Sequence, residues 1–438
     1  MGEPFLFRSS RGEAPPCTFS EALLHGLAPD GGLYVPVRWP HLSAADFAGD
    51  TGLAARATRL LAPFLTGDPL GVQLAAIAGE ALDFPAPLVP LDEHGRLAVL
   101  ELFHGPTAAF KDFGARFLAA CFARIRAGDN RTLTILVATS GDTGGAVAAA
   151  FHGRPGVEVA VLFPKGLVSP TQERQLSCWG GNVRSLALRG TFDDCQRLVK
   201  AAFRDAELAA RRLLTSANSI NLGRLLPQSS YYAATSLEVW RRYGEPASFI
   251  IPSGNLGNAL ACLWARQVGL PIGEVLLAHN ANRTVPDFLA SGDWHPRPSV
   301  ATLASAMDVG DPSNMERLRA LYPQLRALRG AVSACSVSDA QIRARIRAGY
   351  EQYGQIWCPH TATAAEAWEL LTAARRRERR WVLVATAHAA KFREIVEPLI
   401  GREVPMPQTL ARLFARPVHC VEIDATLAAL RAELLRES

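Results

Sequence analysis

The stretch HGPTAAFKDFGARFL, residues 104–118, holds a lysine where covalent chemistry could be done. Lys111 follows a Gly-Pro turn and is flanked by Phe110 and Phe113, with the small residues Ala108, Ala109 and Gly114 close by. Such a setting strips water from an ammonium, lowers its pKa and leaves more of the amine neutral and nucleophilic. A Schiff base with an aldehyde cofactor is the chemistry this would serve. The alternative is a lysine whose stem covers apolar surface while its head reaches water. The neighbours of Lys111 leave both open.

Three turns elsewhere have residues that could meet a ligand. In SGNLGN (Ser253, Gly254, Asn255, Leu256, Gly257, Asn258) two glycines allow close backbone approach. The following ALACLWARQVG pattern places a helix N-terminus behind them, an anion cradle suited to a phosphate monoester. No G-x-x-x-x-G-K-[ST] occurs, so a nucleoside triphosphate is not implied. A tight connection capped by Asn255 or Ser253 is the competing explanation. In ATSGDTGGAVAAAF (138–151), Ser140, Asp142 and Thr143 cluster at a helix start, either as ligand contacts or with one of them as an N-cap. In CPHTATAAEAW (358–368), Pro359 and Thr361 could simply begin a helix, and His360 is a lone turn histidine. SANSINLGRLLPQ (216–228) adds Asn218 and Arg224, whose guanidinium fork suits a phosphate or a carboxylate.

The elements that must position these groups alternate. TLTILVAT (132–139), VEVAVLF (157–163), SFIIP (248–252), EVLLAHN (274–280) and WVLVATA (381–387) read as buried parallel strands. Most lead through a turn into an Ala/Leu/Arg-rich helical pattern, which predicts an α/β architecture with parallel sheets. Ligands of open α/β sheets bind where strands end and helices begin, so the turns fall where chemistry is expected. Residues 1–95 form a different, proline-rich N-terminal unit. The expected division is 96–130 with 218–400 as a large cofactor-binding domain, 131–217 as a small domain, and 401–438 as a C-terminal segment.

Composition narrows the class further. The 438 residues are 49% hydrophobic and 20% charged, and the net charge is +5, ordinary for a soluble globular chain. Arg375, Arg376, Arg377, Arg379 and Arg380 form a run that reads as a solvated helix end, not a nucleic-acid site. The eight cysteines show no C-x-x-C pair or zinc spacing, which excludes a metal site of that kind and fits a reducing compartment. The first 16 residues have no signal-like apolar core, and no membrane-length apolar run occurs. A cytoplasmic protein acting on a small molecule, without membrane or nucleic acid, as monomer or homodimer, is the expectation.

Taken in order, these motifs resemble the threonine synthase family, pyridoxal-phosphate enzymes of fold type II, the tryptophan-synthase-like fold. The resemblance extends through LAPDGGLYVP (27–36), LFHGPTAAFKDFGARFL, VATSGDTGGAVAAAF, LFPKGLVSPTQERQ, TSANSINLGRLLPQ, IPSGNLGNAL, NANRTVPDFL, CPHTATAAEA and VATAHAAKF. It implies two open, mostly parallel α/β domains with the cofactor between them. By position, Lys111 would hold pyridoxal 5'-phosphate as a Schiff base and move protons. Ser253 to Asn258 would cradle its phosphate, Thr361 would meet the pyridine nitrogen, and Asp142 would lie at the ring's 3′-oxygen. A carboxylate beside an oxyanion requires a shared proton. Ser140, Thr143, Asn218 and Arg224 would bind the phosphate and carboxylate of the substrate. The implied reaction turns O-phospho-L-homoserine and water into L-threonine and phosphate, by γ-elimination followed by β-addition of water. The competing readings are a phospho-lyase of the same family that releases 2-oxobutyrate and, more remotely, a non-catalytic binding homologue.

Overall fold

The computed structural model describes residues 3–125, 132–139 and 141–436. Among the described residues, thirteen strands form three sheets. In chain order they are β1 (Phe7–Ser9), β2 (Tyr34–Pro36), β3 (Leu88–Pro90), β4 (Leu97–Glu101), β5 (Thr132–Ala138), β6 (Val157–Pro164) and β7 (Val183–Arg189). They continue with β8 (Arg212–Ser216), β9 (Ala247–Pro252), β10 (Ile272–His279), β11 (Ser333–Ser336), β12 (Arg380–Ala385) and β13 (Val421–Asp424). The expected α/β fold with two mostly parallel sheets is present. The six-stranded sheet runs β11-β10-β9-β12-β4-β3 and the five-stranded sheet β13-β7-β6-β5-β8. Every pairing in these two sheets is parallel except β3 with β4.

The five apolar runs became strands because each is covered on both faces. In β5, Ile135 and Val137 point into the main core while Leu136 and Ala138 point into a second one. The same alternation separates Val159, Val161 and Phe163 of β6 from Ala160 and Leu162. This is the period-2 geometry of a strand between two helical layers. Helix Asp142–Phe151 packs on the first face; Phe192–Ala202 and Leu427–Leu435 cover the second through Cys195, Leu198, Leu430 and Leu434. The C-terminal segment thereby completes the five-stranded sheet, since β13 pairs with β7 at its edge.

Near the N-terminus, Phe5, Phe7, Phe19 and Phe64 cluster, and Trp39 meets Trp264 of helix Gly257–Val268 edge-on at 5.4 Å. Arg317, fully buried, ties this region to the SANSIN segment. It donates to the carbonyl oxygens of Tyr34 at 3.0 Å, Ser219 at 3.2 Å and Ile220 at 2.6 Å. The arginine run 375–380 is not simply solvated. Arg375 and Arg379 both pair with Glu274, Arg376 with Glu369 and Arg380 with Glu245. Among the described residues, no helix is long and apolar enough to cross a membrane, and no cluster of metal-ligating side chains occurs.

Candidate active site

Five segments leave the carboxyl ends of parallel strands and meet between the two large sheets. They follow β4 (leading to Lys111), β5 (Asp142 and Thr143), β8 (Asn218), β9 (Ser253–Asn258) and β12 (Thr386). Lys111 opens helix Lys111–Phe122. The preceding loop is fastened to the chain beyond β12: Phe110 N donates to Thr386 O at 2.8 Å, and His388 N to Ala108 O at 3.0 Å. Ala108 adopts a left-handed backbone, φ 53°, strain that persists only where surrounding bonds over-determine the turn. Asp112 supplies two of them, accepting from Thr107 N at 2.9 Å and Thr107 Oγ1 at 2.7 Å. Thr107 therefore builds the turn. His104 is exposed and pairs with Glu101 at 2.7 Å.

The Lys111 amine lies 4.5 Å from the centre of the Phe110 ring. Phe113 instead points into the core, against Phe84 at 4.6 Å and Tyr231 at 5.0 Å, and does not face the amine's cavity. Lys111 keeps some accessible surface because it borders two cavities, although protein encloses it. Burial, then the Arg224 guanidinium, lower its pKa to about 8, with Asp142 opposing.

The first cavity is floored by Ser253–Asn258 and bordered by Lys111, Asp142, Arg224, His360 and Thr386. The capping alternative for SGNLGN fails. Leu256 occupies the cap position in a left-handed conformation, φ 62°, and its side chain does not cap helix Gly257–Val268. Ser253 Oγ donates to Ile251 O at 2.9 Å, and Asn255 Nδ2 to Ser219 Oγ at 2.7 Å. The first amides of a 12-residue helix thus point into the cavity without a side-chain partner. At Gly254 a Cβ would lie 2.8 Å from Met307 Cα, so only glycine fits that approach. Asn258 Oδ1 accepts from the Tyr231 and Tyr232 hydroxyls, yet its Nδ2 is buried without a partner among the described residues, as is Asn255 Oδ1. Buried polar groups are rarely left unmatched. These orphaned atoms, the amides and the Lys111 amine fit a phosphorylated aldehyde.

Arg224 is nearly fully buried beside Lys111. One nitrogen donates to Ala217 O, but Nε has no partner among the described residues. Gly114 permits this neighbourhood, since a Cβ there would overlap the Arg224 carbonyl oxygen. Burial lowers the Arg224 pKa to about 10, still cationic at neutral pH. Thr143 and Asn218 border the second cavity with Lys111, Thr139, Ser219 and Arg297. Ser140 lies outside the described residues. Thr361 lines neither cavity; its hydroxyl is 3.3 Å from Cys358 Sγ, at the start of helix Pro359–Glu369. His360 does line the first, with Nε2 accepting from Ala306 N at 3.1 Å, and burial takes its pKa down to about 4, so it is neutral.

Asp142 is no cap. Its Oδ1 takes an ion pair from the buried Lys391 at 2.8 Å and a bond from Gln172 Nε2 at 3.2 Å. Burial pushes its carboxyl up, but the Lys391 ammonium and the Gln172 hydrogen bond outweigh that and hold it below the usual range. Thr386 and Lys391 lie in VATAHAAKF, a motif whose residues carry no assigned role in the sequence. The available signal for Lys391 was the one used for Lys111, a lysine among small and apolar residues after a strand.

The chain matches three family models: pyridoxal-phosphate dependent enzyme over residues 81–387, threonine synthase N terminus over 6–81, and threonine synthase C-terminal over 361–433. It is 40% identical to a threonine synthase of Haemophilus influenzae, covering 96% of this chain and 97% of the relative. Against that of Escherichia coli the figures are 39%, 94% and 95%. The crystal structure of the Escherichia coli threonine synthase superposes with a TM-score of 0.89, 36% identity, and 98% and 99% of the two chains covered. A pyridoxal-phosphate-bound threonine synthase from Brucella melitensis gives 0.89 at 34% identity, with 98% of each chain. The chain belongs to the threonine synthase family of pyridoxal-phosphate enzymes.

Proposed function

We propose that the two adjoining cavities are the site where this enzyme turns O-phospho-L-homoserine and water into L-threonine and phosphate. The observation that carries this reading is the meeting of a depressed-pKa amine, an unpartnered buried guanidinium nitrogen and an uncapped helix start around one space. Pyridoxal phosphate, when bound, supplies an aldehyde carbon for amine exchange and a ring that takes up negative charge from Cα. Ser253–Asn258 would hold its phosphate on backbone amides and Asn258 Nδ2. Lys111 would hold the aldehyde carbon. Thr386, as the cavity-lining threonine, suits the pyridine nitrogen better than Thr361. A hydroxyl there does not force that nitrogen to stay protonated, which suits elimination and replacement chemistry.

Arg224, Asn218, Thr143 and Ser140 would orient the substrate's phosphate and carboxylate, two anions that a cation and short polar side chains recognise together. Lys111, with its amine free, would take the Cα proton. With a pKa of about 8, a useful fraction is neutral at physiological pH and the conjugate acid can still return a proton. Loss of a Cβ proton accompanies departure of phosphate from Cγ, and Cγ regains a proton. Water then adds at Cβ, and Lys111 returns a proton to Cα. The site lies between two sheets, so their closure would keep water out until phosphate has left.

We also read the domain division given above, a cytoplasmic location, and a monomer or homodimer without nucleic-acid contact as the fitting context. The eight free cysteines support a reducing compartment. Lys111→Ala is expected to abolish turnover and the near-ultraviolet-to-visible absorbance of the bound cofactor. That absorbance surviving exhaustive dialysis of the variant would remove Lys111 from this role.

A further inference from the structure

Lys391 is a fully buried charge that the reaction as read above leaves unused. It sits on the turn Ala389–Phe392 after β12, with Nζ 2.8 Å from Asp142 Oδ1 and donating to Thr107 O at 3.0 Å. One ammonium thus joins three segments: the chain beyond β12, the start of helix Asp142–Phe151, and the loop that delivers Lys111. Both of its partners take a second bond from helix Pro170–Ser177 of the five-stranded side. Gln172 Nε2 reaches Asp142 Oδ1 at 3.2 Å, and Gln175 Nε2 reaches Thr107 O at 3.2 Å. Asp142 borders the cavity; Lys391 stands behind it, outside the lining. A lone buried carboxylate facing the cofactor's ring oxygen would be like charge against like charge, and one of the two would have to take a proton.

We infer that Lys391 is a positioning residue that neutralises Asp142 and fixes it against the cavity wall, so that the carboxylate stays ionised without driving a proton onto the cofactor's 3′-oxygen. The inference rests on the cavity being the cofactor site, with Asp142 at the ring's 3′-oxygen as the resemblance implies. A tie of purely structural value would affect stability alone, whereas this role also sets the light absorption of the bound cofactor.

The test compares the parent with Lys391→Met, Asp142→Asn and the double variant. Each is reconstituted with pyridoxal phosphate for spectra and affinity, and melted without cofactor. Lys391→Met should alter the ratio of long- to short-wavelength absorbance and weaken cofactor binding about tenfold or more. Adding Lys391→Met to Asp142→Asn should change affinity by no more than about twofold, because no carboxylate remains to be neutralised. If Lys391→Met does not fold, a loss of affinity of more than about twofold on adding it to Asp142→Asn still overturns the inference. An unchanged spectrum and affinity in Lys391→Met, or single effects that multiply in the double variant, would overturn the inference. Absence of cofactor absorbance in the parent would instead overturn the cofactor-site reading beneath it.

Discussion

Replacing Lys111 by methionine should make the cofactor-free protein more stable. The two side chains have similar lengths, so the change chiefly removes a buried charge. The protein takes the Lys111 amine from its ordinary 10.5 to about 8, mainly by burial and then by Arg224. A depression of that size corresponds to roughly 3 kcal/mol. Lys111 borders cavities whose water screens the charge, which brings the expected gain to roughly 2 kcal/mol. At ~2 cal/mol/K per residue, a chain of 438 residues gains about 2 °C in Tm from this. The sign with pH follows from proton counts. Between about 8 and 10.5 the unfolded chain carries the Lys111 proton and the folded chain does not, so parent stability rises with pH across that window. The deficit is complete below pH 8 and vanishes near 10.5. Calorimetry of both cofactor-free proteins from pH 7 to 10.5 should show the variant's advantage shrinking to nothing. A variant no more stable than the parent at pH 7, or a constant difference across the range, would refute the desolvated-amine argument.

Arg224→Met should raise the KM for O-phospho-L-homoserine roughly tenfold to a hundredfold, the value of a charge-assisted hydrogen bond lost to the substrate, while cofactor absorbance persists. Steady-state phosphate release measures this, and an unchanged KM would remove Arg224 from the substrate site. Gly254→Ala should cost about 1–3 kcal/mol in urea unfolding and weaken cofactor binding, because its Cβ meets the Met307 backbone; normal stability would show that the approach is not tight. Thr386→Val should weaken cofactor binding about tenfold and Thr361→Val by less than about twofold, as read by equilibrium dialysis. The reverse order would return the pyridine-facing role to Thr361.

Much of this site was legible because its chemistry sits in local patterns. Apolar runs five to eight residues long announced β5, β6, β9, β10 and β12, and the glycines of SGNLGN marked a strand-to-helix turn that could take an anion, though not whether a side chain caps it. Lys111 stood out through its neighbours in the chain. What stayed hidden depends on approach between distant residues. Thr107 and Lys391 are 284 positions apart, and nothing in either segment states that they meet. Phe113 reads as a flank of Lys111, yet a residue two positions into a helix points elsewhere, and it packs into the core. Thr361 and Thr386 each follow small, apolar surroundings; only the strand order, with β12 beside β9 and β4, brings the second to the cavity. β13 was invisible because it is a short, largely exposed edge strand whose partner, β7, lies more than 200 residues earlier.

The most direct test of the account is product stoichiometry. Purified enzyme loaded with pyridoxal phosphate is given O-phospho-L-homoserine, and threonine, phosphate and 2-oxobutyrate are quantified together. Threonine and phosphate in equal amounts, with 2-oxobutyrate at trace level, is the predicted result. Phosphate matched by 2-oxobutyrate, with no threonine, would contradict it and make the protein a phospho-lyase built on the same site.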